Sequence, residues 1–256
     1  MNQKEFNLKK MIDLELKIKK FLDEINNDTL KILKIGNMLP IVIKNFLIYT
    51  ITNDINLEKN ILEREIKNFY LKNNLNDKEI LENLLKKKGI QQEELHYQIT
   101  LPLKICKFAE EKFKNELKDY FLNKKEFLDE YTFNIIRVKK SDLAYELYFQ
   151  LDSEESDFIE LSQKYSFYSP LYPEGIFGPR NLQGINPIIR KKLLNSLKGN
   201  LIMPFKVDDW WLIIKLIEKK SASLNKQTTE MLFAEIFDKF VNKFTQDFIK
   251  EHFKTY

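Results

Sequence analysis

The stretch DDWWLIIKLIEKK, Asp208 to Lys220, decides the fold. Between Trp210 and Ile217 only Lys215 is polar, and the rest are aromatic or branched aliphatic residues. Such a run, too short for a helix of its own, reads as a β-strand buried on both faces. The chain has two tryptophans, Trp210 and Trp211, and both stand at the mouth of this strand. Successive strand residues point to opposite faces of a sheet. One tryptophan is therefore expected in the core and the other on an outer or groove face. Both could serve as packing alone; the alternative is that one walls a peptide groove, where its large rigid ring gives contact area at low entropy cost.

Outward from this strand the pattern stays mixed. NLIMPFKV, ending at Val207, reads as a second strand joined to it by a tight turn through VDD. YTFNIIRV, Tyr131 to Val138, carries the same strand signal. Between them SDLAYELYFQL and DFIELSQKYS read as helices capped by Ser141 and Ser156. The loop from Phe167 to Pro187 follows, with Tyr168, Leu171, Tyr172, Ile176 and Phe177 giving it an apolar character unusual for a loop. PIIRKKLLNSL is a helix opened by Pro187 and closed at Gly199. Tyr131 to Lys220 thus forms one compact α+β domain.

Upstream, the period is helical almost throughout. Ile12 and Leu16 alternate with Leu14, Ile18 and Leu22, and a helix over Leu39–Ile51 carries Pro40 in its first turn. Helices follow over Leu57–Lys72, with Ile61, Ile66, Phe69 and Tyr70 as its apolar face, and over DKEILENLLKKK, with Asn76 or Asp77 as N-cap and Gly89 just past the end. A long helix from about Gln92 to Asn123 contains Pro102, which should kink or split it. Downstream, Phe233, Phe237, Phe240, Phe244 and Phe248 recur at three- and four-residue steps on one helix face. That face needs a partner: the amino-terminal helices, or another protein.

Composition narrows the functions. Six glycines make a glycine-rich phosphate loop hard to build. Net charge is +4, 42 basic against 38 acidic residues, well mixed, and the runs Lys86–Lys88 and Lys191–Lys192 read as solvated helix faces; nucleic acid is not an expected partner. One cysteine, Cys106, excludes an internal disulfide, and with His96 and His252 it offers too few groups for a metal site or a cysteine–histidine pair. No cofactor or metal is expected. The apolar run Leu39–Ile51 is too short to span a bilayer and contains Lys44, so membrane insertion is not expected. MNQKEFNLKKMIDLELKIKK lacks the apolar core of a signal peptide, and a cytoplasmic location is expected.

FIELSQKYS, GIFGP, NSLKGNL and WWLIIKLIEKK, in this order and spacing, resemble the parvulin-type peptidyl-prolyl isomerase domain. LKKKGIQQEELHYQIT and the helix leading into YTFNIIRV resemble the segment that precedes that domain in SurA- and PrsA-like foldases. The resemblance implies a helical domain over 1–128, a parvulin-like domain with a four-stranded sheet over 129–221, and a carboxy-terminal helix over 222–256 that packs back on the amino-terminal helices.

It also implies a site. The two histidines of the family fall on Ile135 and Leu212, and its polar residue after "YS" falls near Tyr168. The apolar residues of the proline pocket fall on Ile185 and Ile189. Trp211 matches an aromatic that precedes the second histidine, and Trp210 replaces a common glycine. The apolar pocket is kept while the polar centre is replaced. Peptide contact is expected from Ile185, Ile189, Phe177, Trp210, Trp211 and Tyr168. The resemblance therefore implies a foldase homologue that binds unfolded, nascent or proline-containing polypeptide with weak or vestigial isomerase activity. The alternative is a non-catalytic docking or assembly protein with one dedicated client.

Overall fold

The computed structural model describes residues 3–168 and 174–253, with side chains from residue 11 onward. Leu171 and Tyr172 lie outside the described residues. In chain order the elements are α1 (Gln3–Asp23), α2 (Asn27–Ile35), α3 (Leu39–Asn53), α4 (Lys59–Lys72), α5 (Lys78–Lys88), α6 (Gln92–Leu128), β1 (Glu130–Val138), α7 (Ser141–Asp152), α8 (Phe158–Tyr165), β2 (Ile176–Arg180), α9 (Pro187–Leu194), β3 (Leu201–Val207), β4 (Trp210–Lys220) and α10 (Lys226–His252). They divide into two compact units: the chain up to Lys118 together with Lys226 onward, and Asp119–Asn225. The first division falls inside α6.

The first unit is helical. Leu39, Ile43, Leu47 and Ile51 line one face of α3 at four-residue steps and are buried. α10 packs on α3 and buries Phe233, Phe237, Phe244 and Phe248. Each such ring contributes roughly 2–3 kcal/mol by leaving water. Phe108 of α6 meets Phe237 edge-on, and Lys44 of α3 pairs with Asp238 of α10 at 2.8 Å. The carboxy-terminal helix therefore completes the core of the first helices. The stripe on α1 is narrower than its apolar residues suggest: Leu14, Ile18 and Leu22 are buried, whereas Ile12 and Leu16 are exposed. α4 buries none of its residues fully.

Local signals act as their chemistry demands. Asp77 caps α5 through the N–H groups of Glu79 and Ile80, and Gly89 takes the left-handed conformation past its end. α6 runs through Pro102 without interruption and continues to Leu128, so the proline does not split it. The serine caps are corrected. Ser141 is already inside α7 behind Lys140, and Asp157, not Ser156, caps α8 through the N–H of Glu160. No single helix among the described residues is long and apolar enough to cross a membrane; α2 and α3 approach that length only as a pair bent by 111°.

The second unit is a four-stranded antiparallel sheet in the order β2-β1-β4-β3. β4 is central, which is why its sequence is apolar on both faces. Ile136, Val138 and Ile213 face α7 and α8. Phe133, Ile135, Leu212, Ile214 and Leu216 face the opposite way, toward Leu193 of α9 and Leu182 of the connection that precedes it. Pro204 sits on the edge strand β3, where the register slips between Ile202 and Phe205, so no ladder bond is lost there. At the base of the sheet Asp129 is buried and accepts from the Ala222 N–H at 2.9 Å; Lys125 and Lys219 neutralise it at 3.3 and 3.5 Å.

Candidate functional site

The site is built on the α9 face of the sheet. Ile135 and Leu212 are 3% exposed and sit inside the apolar cluster there. On top of that cluster lie Tyr168, Phe177, Ile185, Ile189 and Trp210, all half-buried. Strand β2 brings Phe177 over Phe133, with the rings stacked at 5.8 Å, and the Tyr168 ring meets Phe177 at 5.5 Å. Five of the six residues expected to contact peptide therefore share one half-buried apolar surface.

Trp211 does not join them. Strand alternation turns it to the opposite face, where it packs with the α7 cluster and meets Tyr145 at 6.0 Å. Its role is to hold α7 on the sheet. Trp210 is the tryptophan on the site's face.

The segment after α8 is held to the end of β1 by Ser166. Its hydroxyl oxygen accepts from the backbone N–H groups of Arg137, at 3.1 Å, and Tyr168, at 3.3 Å. The Phe167 N–H donates to the Arg137 carbonyl at 2.9 Å. This fixes Phe167 and Tyr168 beside the Arg137 side chain. The Arg137 guanidinium donates to the Tyr168 hydroxyl at 2.9 Å and lies 4.0 Å from the Trp210 ring centre. Phe167 closes the other side, 4.5 Å from Trp210. Lys139, just past the end of β1, sits 3.7 Å over the same tryptophan. Such cation–ring contacts contribute about 0.5–2 kcal/mol each.

The sequence reading did not single out Arg137, Lys139 or Phe167. The available signal was a lone arginine in the apolar run FNIIRV, at a position that strand alternation places on the same face as Ile135. What the sequence could not show is that Tyr168 would reach back to it across the unit.

No histidine belongs to residues 119–225; His96 meets the Tyr70 hydroxyl at 3.0 Å and His252 stacks on Phe248, both in the first unit. Cys106 is there too. Burial pushes its thiol up, and Glu230 and Glu110 add to the shift, so the nucleophilic thiolate is scarce. Among the described residues no group of three or more His, Cys, Asp or Glu is placed to hold a metal. A cleft of about 940 Å³ opens around the α7–α8 connection and the start of β3, lined by exposed carboxylates including Glu154, Glu155 and Glu160. It brings no buried polar group together and lies among residues of α7, α8 and β3, apart from the apolar surface.

Chemically, the arrangement offers a half-buried apolar platform with a polar pair, Arg137 and Tyr168, at its edge. The platform can take an apolar or prolyl ring, and the pair can donate hydrogen bonds to a backbone carbonyl. Among the described residues it contains no nucleophile activated by a base.

No protein-family model matches the chain, and no curated protein does. Solved structures do. The peptidylprolyl isomerase PrsA of Bacillus anthracis matches at 19% identity and TM-score 0.42, over 86% of this chain and 99% of that one. PrsA of Bacillus cereus matches at 18% identity and TM-score 0.47, over 90% and 88%. The parvulin domain of PpiD from E. coli matches at 22% and TM-score 0.31, over 38% of this chain and 95% of that one. The chain resembles parvulin-type foldases. The α+β class rests on this chain's own elements, a four-stranded antiparallel sheet and a helical unit completed by the last helix. The chemistry of the site has to follow from its own residues.

Proposed function

We propose that the second unit binds extended, unfolded or proline-containing polypeptide on the surface of Tyr168, Phe177, Ile185, Ile189 and Trp210, and that it acts as a foldase-type binding protein with slow or vestigial isomerase activity. The observation that supports this is the gathering of these five half-buried apolar side chains on one sheet face. A soluble surface rarely concentrates aromatic and branched residues without a partner.

Slow catalysis follows from what stands at the centre. Rotation about a prolyl bond crosses a barrier of about 18–20 kcal/mol set by amide resonance. Acceleration requires that the twisted amide be bound better than the planar one. An apolar platform supplies part of that preference by removing water from the amide. A fixed donor typically supplies on the order of 10²–10³ in rate. Ile135 and Leu212 can donate nothing, and the Arg137–Tyr168 pair stands at the edge of this face, not at its centre.

A protease-coupled isomerisation assay on an Ala-Xaa-Pro-Phe peptide tests the catalytic half, run on the whole chain beside Ile135→His/Leu212→His. The expected result is a barely measurable rate for the wild type. A rate within about tenfold of an efficient isomerase overturns the vestigial reading. Binding of a reduced, unfolded protein that is lost in Phe177→Ser and Ile189→Ser tests the other half. The second reading, a docking protein for one dedicated client, is favoured if unfolded proteins in general fail to bind while a single native partner does.

A further inference from the structure

A second apolar groove lies in the first unit, where the start of α3 runs beside the end of α10. It encloses about 560 Å³, and Pro40, Ile41, Ile249 and Phe253 give it apolar walls. Ile41 is 58% exposed although the opposite face of its helix is core, and Ile35 and Met38, just before it in the chain, are exposed too. The lining is otherwise basic. Lys44 and Lys250 belong to it, and Lys34 stands at the rim with its ammonium 5.1 Å from the Phe253 ring; among the described residues no carboxylate lines it. Lys44 pairs with Asp238 at 2.8 Å, while Lys34 and Lys250 are exposed. The start of α3 has no side-chain cap and brings the positive end of the helix dipole to the same groove. Thr245 adds an independent sign. It lines the groove at 5% exposure, and among the described residues its buried hydroxyl has no hydrogen-bond partner. Thr50, Thr52 and Thr100 turn theirs to the carbonyl four residues back, at 2.8–2.9 Å. Thr245 forgoes that bond, although an unpaired buried hydroxyl costs stability.

We propose that this groove binds a small amphiphilic anion, an acyl chain that ends in a carboxylate. The chain lies on Pro40, Ile41, Ile249 and Phe253. The carboxylate is met by Lys250 and the open end of α3, and one turn of Thr245 about χ1 brings its hydroxyl round as a further donor. Apolar walls with a few polar groups are the usual make-up of a small-ligand pocket. A polypeptide segment suits these walls less well, because it carries an N–H and a carbonyl at each residue and the walls have few groups to pair them. The proposal is independent of the peptide-binding reading, which concerns the second unit.

Isothermal titration of the whole chain with decanoate, decanol and decyltrimethylammonium, each below its micelle concentration, tests it. Decanoate should bind one molecule per chain, about three- to tenfold more tightly than decanol. The cation should bind weakest, and the preference should shrink as salt is raised. Ile41→Asp changes an exposed position and should weaken decanoate by more than about tenfold. Lys250→Glu, also at an exposed position, should remove the preference over decanol. Thr245→Val keeps the shape of the side chain. It should weaken decanoate by about two- to tenfold while raising the melting temperature of the free protein, a pairing that a merely structural threonine does not give. No binding of decanoate, equal binding of the three probes, several molecules per chain, or binding unchanged in Ile41→Asp overturns the proposal. So does a short apolar peptide that binds in place of decanoate, or a dimer that Ile41→Asp dissolves, since each gives the groove another occupant.

Discussion

Phe108 and Phe237 meet edge-to-face in the first unit, their ring centres 5.7 Å apart and their planes at 82°. Phe237 is 3% exposed and Phe108 4%. This contact joins α6 to α10, and it shows how the aromatic face of the last helix is used: as core.

Phe237→Ala should therefore destabilise the first unit by about 3–5 kcal/mol, the cost of a buried ring and the cavity it leaves. Chemical denaturation should show a transition for this unit at much lower denaturant. Phe240→Ala, at a half-buried position on the same helix, should cost visibly less.

Gly175 allows β2 to start where it does. Its φ is +62°, and a β-carbon there would run into the Ser162 side chain and come within 3.2 Å of the Ile135 carbonyl. The Gly175 carbonyl also accepts from the Ile135 N–H at 2.8 Å. Gly175→Ala should cost about 2–4 kcal/mol, since it combines a left-handed conformation with overlap against a buried helix. Because Phe177 is two residues on, peptide binding should fall with it. A variant that melts and binds like the wild type would show that this approach is not needed.

Tyr97 sets an alkaline limit. Burial holds its hydroxyl above the ordinary tyrosine value of about 10, against an opposing contribution from the Thr52 hydroxyl at 2.8 Å. A group held above its unfolded value supports the fold fully below that value and loses the support as pH rises through the folded one. Stability from Tyr97 should therefore be intact at pH 7 and decline above about pH 10. Tyr97→Phe should cost about 1 kcal/mol at neutral pH, because Thr52 keeps its bond to the Ile48 carbonyl. It should narrow the stability difference between neutral and alkaline solution. Urea denaturation at the two pH values checks both signs.

Placing histidines at Ile135 and Leu212 is not neutral for folding. Ile135 and Leu212 are packed into the apolar cluster, and imidazoles there would need partners that the surrounding leucines and isoleucines cannot give. Ile135→His/Leu212→His should lower the stability of the second unit by roughly 1–3 kcal/mol per site. Activity in this variant has to be read at a temperature where circular dichroism shows it folded.

The strands were legible because β4 and β1 are apolar on a period that only a covered sheet explains, and the helix ends because Asp77 and Gly89 carry their own local chemistry. The phenylalanine spacing of α10 showed that its face needs a partner; that the partner is the amino-terminal helices came from the family resemblance and not from the spacing. Ser141 and Ser156 misled because a serine beside an aspartate competes for the same cap, and the neighbouring residue won at α8. Pro102 does not split α6, because a helix with Leu95 and Phe108 in the core tolerates one missing bond. At the site, the apolar residues could be aligned by pattern. Arg137 could not, because its importance comes from Tyr168 and Trp210, which lie far from it in sequence and near it only once the sheet has formed.

The first unit is written in two pieces, with Asp119–Asn225 between them. Lys44 and Asp238, which touch at 2.8 Å, are 194 positions apart in the chain. Closing so long a loop is slow compared with local assembly. During synthesis the second unit has all its strands before α10 exists, while α3 and α6 must wait for the last helix to cover them. Folding on the ribosome should thus run from the middle of the chain outward, and until translation ends a protein of this shape itself presents the kind of exposed apolar surface that a folding helper recognises.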